Sequence, residues 1–174
     1  MKNAFLLVSC ILLLLAGCKK KEDPKPKNTI TATVSGVDED LSVNASAFVS
    51  KTNSLNHLLI EGANDKGKQL SIDLQVQDRE IAKGVYTFHT IDNTGSILIP
   101  ASFKGWMTMR YIVGPLSPTT MNNLYGSITN GTPSSIVVTC ITDNNIKGTF
   151  YSELRNMDNV IIAVYNGNFD LELR

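Results

Sequence analysis

The stretch VIIAVYNGNFDLELR (residues 160–174) decides which kind of fold the sequence predicts. In its second half, Phe169, Leu171 and Leu173 alternate with charged residues, which is the period of a β-strand with one buried face. Its first half, VIIAVYN, is apolar on both faces, as expected of a central strand that is covered on each side. The stretch therefore predicts two strands of an all-β domain.

The same period of two continues back to residue 29. Asp143-Asn144-Asn145 is expected to be a hairpin turn, and Asp38-Glu39-Asp40 the polar turn between the first two strands. Strands are predicted in TITATVS, LSVNASAFV, HLLIEG, QLSIDLQV, GVYTFHT, SILIPASF, WMTMRYIV, SSIVVTCIT, IKGTFYSEL, VIIAVYN and NFDLELR. Short strands at regular spacing predict one antiparallel β-sandwich or partly closed barrel of about 9–11 strands over residues 29–174.

A different pattern precedes the strands. A lysine is followed by an apolar run over residues 4–15, and the small residues Ala16 and Gly17 come before Cys18. A basic start, an apolar run and a small-residue exit are the parts of a secretory signal. The run is about a dozen residues long, which is shorter than the roughly 20 that a transmembrane helix needs. Residues 1–17 are therefore expected to be a signal peptide.

The end of this segment, Leu14-Leu15-Ala16-Gly17-Cys18, resembles the lipobox of bacterial lipoproteins. The resemblance implies cleavage after Gly17, a diacylglycerol on the Cys18 thiol and acylation of the new amine with a chain such as palmitate. Lys19 in place of Asp after the cysteine resembles lipoproteins that are sent on to the cell outer membrane. Lys21-Glu22-Asp23 is similar to the export signal of surface lipoproteins in the Bacteroidota, which implies display on the cell surface.

The segment after the cysteine, KKKEDPKPKN, has no apolar residue and two prolines, so residues 18–28 are expected to be a flexible tether. It carries five lysines and two acids, whereas residues 28–174 hold 10 Lys/Arg and 14 Asp/Glu, a formal charge of −4. A mildly acidic domain without basic clusters argues against nucleic acid as a partner. The expected contact is with the membrane, through the lipid on Cys18.

The cysteines leave no internal disulfide. Cys10 departs with the signal peptide and Cys18 is expected to carry the lipid, so Cys140 alone remains. Because Cys140 alternates with Ile136 and Val138, it is expected to be a small buried core residue.

Two motifs in the C-terminal third are Gly148-Thr149-Phe150 and Asn166-Gly167-Asn168-Phe169-Asp170. They resemble the "GTF" strand and the final "NG-x-FD" strand of small outer-membrane lipoproteins of the Bacteroidota. Gly84-Val85-Tyr86-Thr87-Phe88 is similar to the "GTY" strand in the middle of the domain of that family. The family has no established activity, so the resemblance implies an envelope lipoprotein and carries over no functional residue.

The sequence indicates no catalytic residue, metal site or cofactor. It has no G-x-S-x-G motif, and its two histidines, His57 and His89, each fall within a strand pattern. Two histidines cannot make a zinc site without carboxylates, and Asp38-Glu39-Asp40 lacks the spacing of a calcium loop. The protein is therefore not expected to be an enzyme.

One segment, KGWMTMRYIVG (104–114), combines residue types that are enriched at recognition sites, and it holds the only tryptophan. Trp106, Arg110 and Tyr111 are the candidate binding residues. Alternation places Trp106 and Arg110 on one face and Met107, Met109 and Tyr111 on the other. If the methionine face is core, Trp106 and Arg110 lie on the surface. If the tryptophan face is core, the other face needs a partner or another sheet.

Three functions are consistent with these patterns. The first is a lipid-anchored, non-catalytic binding or accessory module of the cell envelope, with an unknown protein or glycan partner. The second is a calycin-like barrel that carries a small apolar ligand, which requires an open interior. The third is a hydrolase whose paired carboxylates meet only in space. A cleft with two facing acids, or a histidine–acid pair, would favour the third.

Overall fold

The computed structural model describes residues 27–88, 105–115, 119–127 and 134–174. The predicted signal peptide, the tether up to residue 26, the SILIPASF strand and His89 lie outside these ranges. The described part contains eleven β-strands and one short 3-10 helix, and no α-helix, so the predicted all-β class is confirmed. The elements are β1 Thr29–Val34, β2 Val37–Asp40, β3 Val43–Thr52, β4 Leu55–Ala63, β5 Lys68–Gln77, β6 Gly84–Phe88, β7 Gly105–Val113, η1 Met121–Asn123, β8 Leu124–Ser127, β9 Ser134–Ile141, β10 Asn145–Arg155 and β11 Ile161–Glu172.

The strands form one antiparallel sheet in the order β2-β1-β11-β10-β8-β7-β5-β4-β3, with β9 and β6 branching from β10. The first part of β10 pairs with β9, and its last two residues, Leu154 and Arg155, pair with β8. The sheet curls until its far strands approach each other: Ala47 of β3 bridges Leu173, and its carbonyl accepts the Arg174 amide at 3.0 Å. The architecture is therefore a partly closed barrel.

The core lies on the concave side of this sheet, where every second residue of each strand points. On β5 the inward side chains are Leu70, Ile72, Leu74 and Val76, all of them buried. Burial of each such side chain contributes roughly 1.5–3 kcal/mol. The other large buried side chains include Ile30, Leu41, Leu58, Ile60, Met109, Tyr111, Ile136, Ile146, Phe150, Leu154, Phe169 and Leu171.

The GTF and NGNFD motifs face each other across β10 and β11. Gly148 pairs with Phe169, and Phe150 pairs with Gly167. The two rings are stacked, with centroids 6.4 Å apart and planes at 26°. Each ring covers the glycine of the facing strand, because an added Cβ on either glycine would lie 2.5 Å from an atom of the ring opposite. The two motifs are therefore one packing unit.

The prediction of two strands in residues 160–174 is wrong, because Ile161–Glu172 form the single strand β11. Tyr165 and Asn166 lie opposite the single residue Tyr151, and this β-bulge, with Asn166 at φ 51°, lets β11 continue without a break. β11 is central in the sheet, between β1 and β10, but Ile161 and Tyr165 on its outer face are exposed. The expectation that both faces of VIIAVYN are covered is therefore wrong within the described part of the chain.

The predicted turn at Asp38-Glu39-Asp40 is also wrong. The chain reverses at Ser35-Gly36, where both residues have positive φ (49° and 85°), as a two-residue hairpin turn requires. The three acids therefore continue as β2, which pairs with β1. Glu39 points inward, and its buried carboxylate pairs with the Lys68 ammonium.

The expectation that Cys140 is a buried core residue is wrong, because its side chain is half-buried. The β9–β10 register shifts, so that Val138 pairs with Gly148 while Cys140 pairs with Lys147. The extra residue, Thr139, breaks the alternation that connects Cys140 to the buried positions.

We expect Gly148→Ala to lower the free energy of unfolding by about 3 kcal/mol, because the added methyl would overlap both the Phe169 ring and the Val137 carbonyl. Urea denaturation measures this. Gly126→Ala on β8 is the matched control: no atom lies within 4 Å of its added Cβ, and we expect a change below about 1 kcal/mol. Equal losses in the two variants would contradict the packing described for β10 and β11.

Asp170 should make stability depend on acid pH. It accepts a hydrogen bond from Asn145 Nδ2 at 3.0 Å and pairs with Lys147 Nζ at 3.0 Å. Burial works to raise the pKa of Asp170, but the hydrogen bond from Asn145 and the charge of Lys147 outweigh it and hold that pKa below its ordinary value of 3.8.

Since the pKa is lower in the folded state, the stabilisation is complete above the unfolded pKa and is lost as pH falls through the folded pKa. Asp170→Asn should therefore cost roughly 1 kcal/mol at pH 7 and flatten the decline in stability between about pH 5 and 2. Thermal unfolding across that range measures the effect, with the exposed Glu172→Gln as control. An unchanged acid decline in Asp170→Asn would refute this role.

Candidate functional site

The structure decides which face of β7 is core. Met107, Met109 and Tyr111 are buried, whereas Trp106 is 46% exposed and Arg110 is exposed as well. Trp106 and Arg110 therefore share an outer surface, as the first of the two alternatives predicts. Tyr111 does not belong to that surface: it is 1% exposed and lies on the opposite face, because neighbouring residues of a strand point to opposite sides.

Four neighbouring strands, β3, β4, β5 and β7, present this outer surface, and their register arranges it in rows. We define the Trp106 face as the three rows that lie directly across from one another. The rows are Ser50, His57, Gln75 and Trp106; then Phe48, Leu59, Asp73 and Thr108; then Ser46, Glu61, Ser71 and Arg110.

Two large aromatic side chains stand at opposite edges of the Trp106 face. Trp106 on β7 is 46% exposed and Phe48 on β3 is 48% exposed. Three strand spacings separate them, which is roughly 14 Å. About half of the surface of each of these two side chains remains exposed to water, and aromatic side chains are enriched where proteins meet ligands. Phe48 was not among the predicted binding residues. Its position in LSVNASAFV, on the side opposite the apolar face, could have indicated an exposed aromatic side chain.

The centre of the face is polar and internally connected. His57 Nε2 lies 2.8 Å from Asp73 Oδ1, and Gln75 Nε2 donates to the same oxygen at 3.2 Å. All three side chains are half-buried. The contacts fix the orientation of the carboxylate and the imidazole between the two aromatic edges.

This histidine–acid pair is the feature that would favour a hydrolase, but its surroundings do not complete one. Ser50 lies opposite His57, and no hydrogen bond joins their side chains. β4 and β5 are paired on both sides, so their backbone N–H groups are donated within the sheet. Acyl-transfer catalysis needs free donors aimed at the developing oxyanion, and strands paired on both sides do not supply them. Within the described residues, the pair therefore has neither a hydrogen-bonded nucleophile nor free backbone donors for an oxyanion.

A groove opens next to the third row. β3 bulges between Val43 and Ser46, with Asn44 at φ 55°. The groove beside this bulge has a volume of about 400 Å³, and its polar lining residues are Asn44, Glu61, Gln69, Ser71 and Arg110. Within the described ranges, the side chains of Glu61, Ser71 and Arg110 form no hydrogen bond or ion pair with one another or with other residues.

A second polar cluster lies inside the barrel. Glu39 of β2 is 7% exposed; its Oε2 accepts a hydrogen bond from Asn64 Nδ2 at 2.9 Å, and its Oε1 pairs with the Lys68 ammonium. The Tyr111 hydroxyl is buried and forms no hydrogen bond with any described residue. Burial and the nearby Glu39 charge raise the pKa of Tyr111 well above its ordinary value. The cluster joins β2 to the start of β5, and Glu39 and Tyr111 are buried within it while Lys68 is half-buried.

Within the described ranges, no group of three or more His, Cys, Asp and Glu side chains is arranged to hold a metal ion. A search of the same ranges finds no helix with the length and apolarity needed to cross a membrane.

No protein-family model, curated protein or solved structure matches this chain. The interpretation of the Trp106 face therefore depends on its own residues and geometry.

Proposed function

We propose that the protein is a lipid-anchored, non-catalytic recognition module of the bacterial cell envelope, and that the Trp106 face is its binding surface. The observation that carries the proposal is the exposure of Trp106 and Phe48 at the two edges of one polar sheet face. A few aromatic anchors surrounded by polar groups that fix orientation are the usual composition of a recognition site.

Support for the lipid anchor comes from Leu14-Leu15-Ala16-Gly17-Cys18 and the charged tether. The first described residues lie next to the end of β11, where Asn28 Oδ1 accepts a hydrogen bond from the Glu172 amide at 2.8 Å. Nine residues separate Cys18 from Asn28, so the two residues are at most roughly 36 Å apart when this segment is fully extended. A lipid on Cys18 would therefore hold the domain close to the outer membrane, and two acyl chains anchor stably.

The alternative of an apolar carrier has less support. A carrier needs an interior that stays open, whereas the inward side chains of β5 and β7 are buried in a continuous apolar core. Glu61, Ser71 and Arg110, whose side chains have no partner in the described chain, lie on the outer face, where a ligand could reach them.

We expect Cys18→Ala to abolish anchoring, because the thiol is the acceptor of the lipid. Expressed in a Gram-negative host, the native chain should incorporate radioactive palmitate and sediment with the outer membrane, whereas Cys18→Ala should do neither. Cys10→Ala is the matched control and should behave like the native chain, since Cys10 lies within the signal peptide. Palmitate incorporation in Cys18→Ala, or none in the native chain, would refute the anchor.

The recognition function can be tested through the single tryptophan. Labelled with 5-fluorotryptophan, the lipidated chain in detergent micelles should give one fluorine NMR signal, and that signal reports only on the Trp106 face. Added cell-envelope extract should shift or broaden it, and Arg110→Ala should weaken the response.

Tyr151→Ala is the control for this experiment. Tyr151 is 39% exposed on β10, away from the Trp106 face, so its removal should leave the response intact. A fluorine signal that total envelope extract does not change would contradict the recognition function.

A further inference from the structure

We propose that the ligand of the Trp106 face is a neutral oligosaccharide that lies along β7, from Trp106 to the groove at Arg110. This inference rests on the proposed recognition function and adds the chemical class of the ligand.

The face is long, and its two ends are of different kinds. Trp106 and Arg110 are four residues apart on β7 and point to the same side, so they are roughly 14 Å apart along the strand. The groove at the Arg110 end has about 400 Å³, which is within the range of small-molecule sites. One compact ligand in the groove would not reach Trp106. A chain of several similar units reaches both ends.

The third row of the face offers an ordered set of hydrogen-bonding groups. Glu61 is an acceptor only, Ser71 is both donor and acceptor, and Arg110 is a donor only; they stand side by side on β4, β5 and β7. None of the three side chains has a partner among the described residues. Hydroxyl groups both donate and accept, and all three side chains line the groove, so the hydroxyls of a sugar unit seated there can pair with them. A strongly anionic ligand would meet Glu61, and a cationic one would meet Arg110, so the charges favour a neutral ligand.

The aromatic edge fits the same ligand. An indole presents a flat apolar surface with one N–H donor at its rim. A pyranose ring has apolar C–H faces and hydroxyls around its edge, so it can stack on Trp106 while its hydroxyls reach Gln75 and Thr108, the nearest polar residues in the register.

A membrane surface or a protein partner fits the same face less well. Peripheral membrane contact relies on a continuous apolar surface with basic residues, whereas Asp73 and Glu61 place acids between the two aromatic edges. The buried centre of a protein interface is depleted of charged side chains, and here the centre holds the His57–Asp73 pair. We therefore propose an oligosaccharide as the ligand. The fluorine NMR signal would distinguish it from a lipid or a protein partner.

The experiment uses the emission of the single tryptophan, with the lipidated full chain in liposomes. The probes are hexasaccharides of maltose, cellulose, xylan, mannan and chitin type, followed by electrophoresis through gels that contain starch, xyloglucan, galactomannan, arabinoxylan or dextran. We expect saturable quenching or a blue shift with at least one probe, and retarded migration in the corresponding gel.

The variants locate the binding. Trp106→Ala should abolish the retardation, and Arg110→Ala and Glu61→Gln should each weaken binding about tenfold, which corresponds to roughly 1.4 kcal/mol. Tyr151→Ala should bind like the native chain. Circular dichroism spectra and urea midpoints verify that every variant is folded.

Two results would overturn the inference: no binding to any probe, or binding that survives both Trp106→Ala and Arg110→Ala. The fluorine NMR signal separates this failure from that of the proposed function. If the protein or lipid fraction of the envelope extract changes the signal and no glycan does, the oligosaccharide assignment fails and the recognition function stands. If no fraction changes the signal, both fail.

Discussion

The two glycine–phenylalanine pairs across β10 and β11 are the contact on which the rest of the sheet depends. Phe169 covers Gly148 and Phe150 covers Gly167, and the two rings stack on each other. A slip of one residue would turn both rings to the outer face and place side chains where only glycine fits. The register of these two strands is therefore fixed by shape as well as by hydrogen bonds, and β1, β8 and β9 all pair against it.

This register reaches the candidate binding face through a short strand. Arg155 at the end of β10 pairs with Gly126 of β8, and Gly126 pairs in turn with Arg110 of β7. From β7 the register continues without a shift through β5 to β4, over nine residue pairs at each step. The rows of the Trp106 face are thus consequences of strand pairing. Their side chains are positioned by rigid elements, which favours a preorganised site.

The sequence could predict most of the fold because a sheet with one buried face has a period that is visible locally. The core of β5 follows directly from QLSIDLQV. β7 is ambiguous, since both of its faces carry large apolar side chains, and only contact with the rest of the core shows that Met107 and Met109 lie inside. For that reason the sequence offered two alternatives for Trp106. Alternation placed Tyr111 on the opposite face, and its inclusion among the candidate binding residues was wrong.

Other features depend on contacts that no local pattern contains. Glu39 looks like a turn residue because acids are rare inside strands. It is buried because Lys68 and Asn64, 29 and 25 residues further along, supply its partners. The turn at Ser35-Gly36, by contrast, could have been predicted from the local sequence. Both residues have positive φ, which is typical of two-residue hairpin turns. The bulge that moves Cys140 out of the core arises from the pairing of β9 with β10, and a single strand does not show it.

Two departures from simple patterning, the buried Glu39 and the exposed aromatic side chains of the Trp106 face, differ in how they are compensated. Inside, the charge of Glu39 is met by an ammonium and an amide of the same chain, so the cost of burying it is offset within the fold. On the outer face, Trp106 and Phe48 remain in water, and Glu61 and Arg110 have no partner in the described chain. Departures that a fold does not compensate are expected at functional sites. The outer face can be reached by a partner, whereas Glu39 and Tyr111 are buried, and for that reason the outer face is assigned the binding role and the buried cluster a structural one.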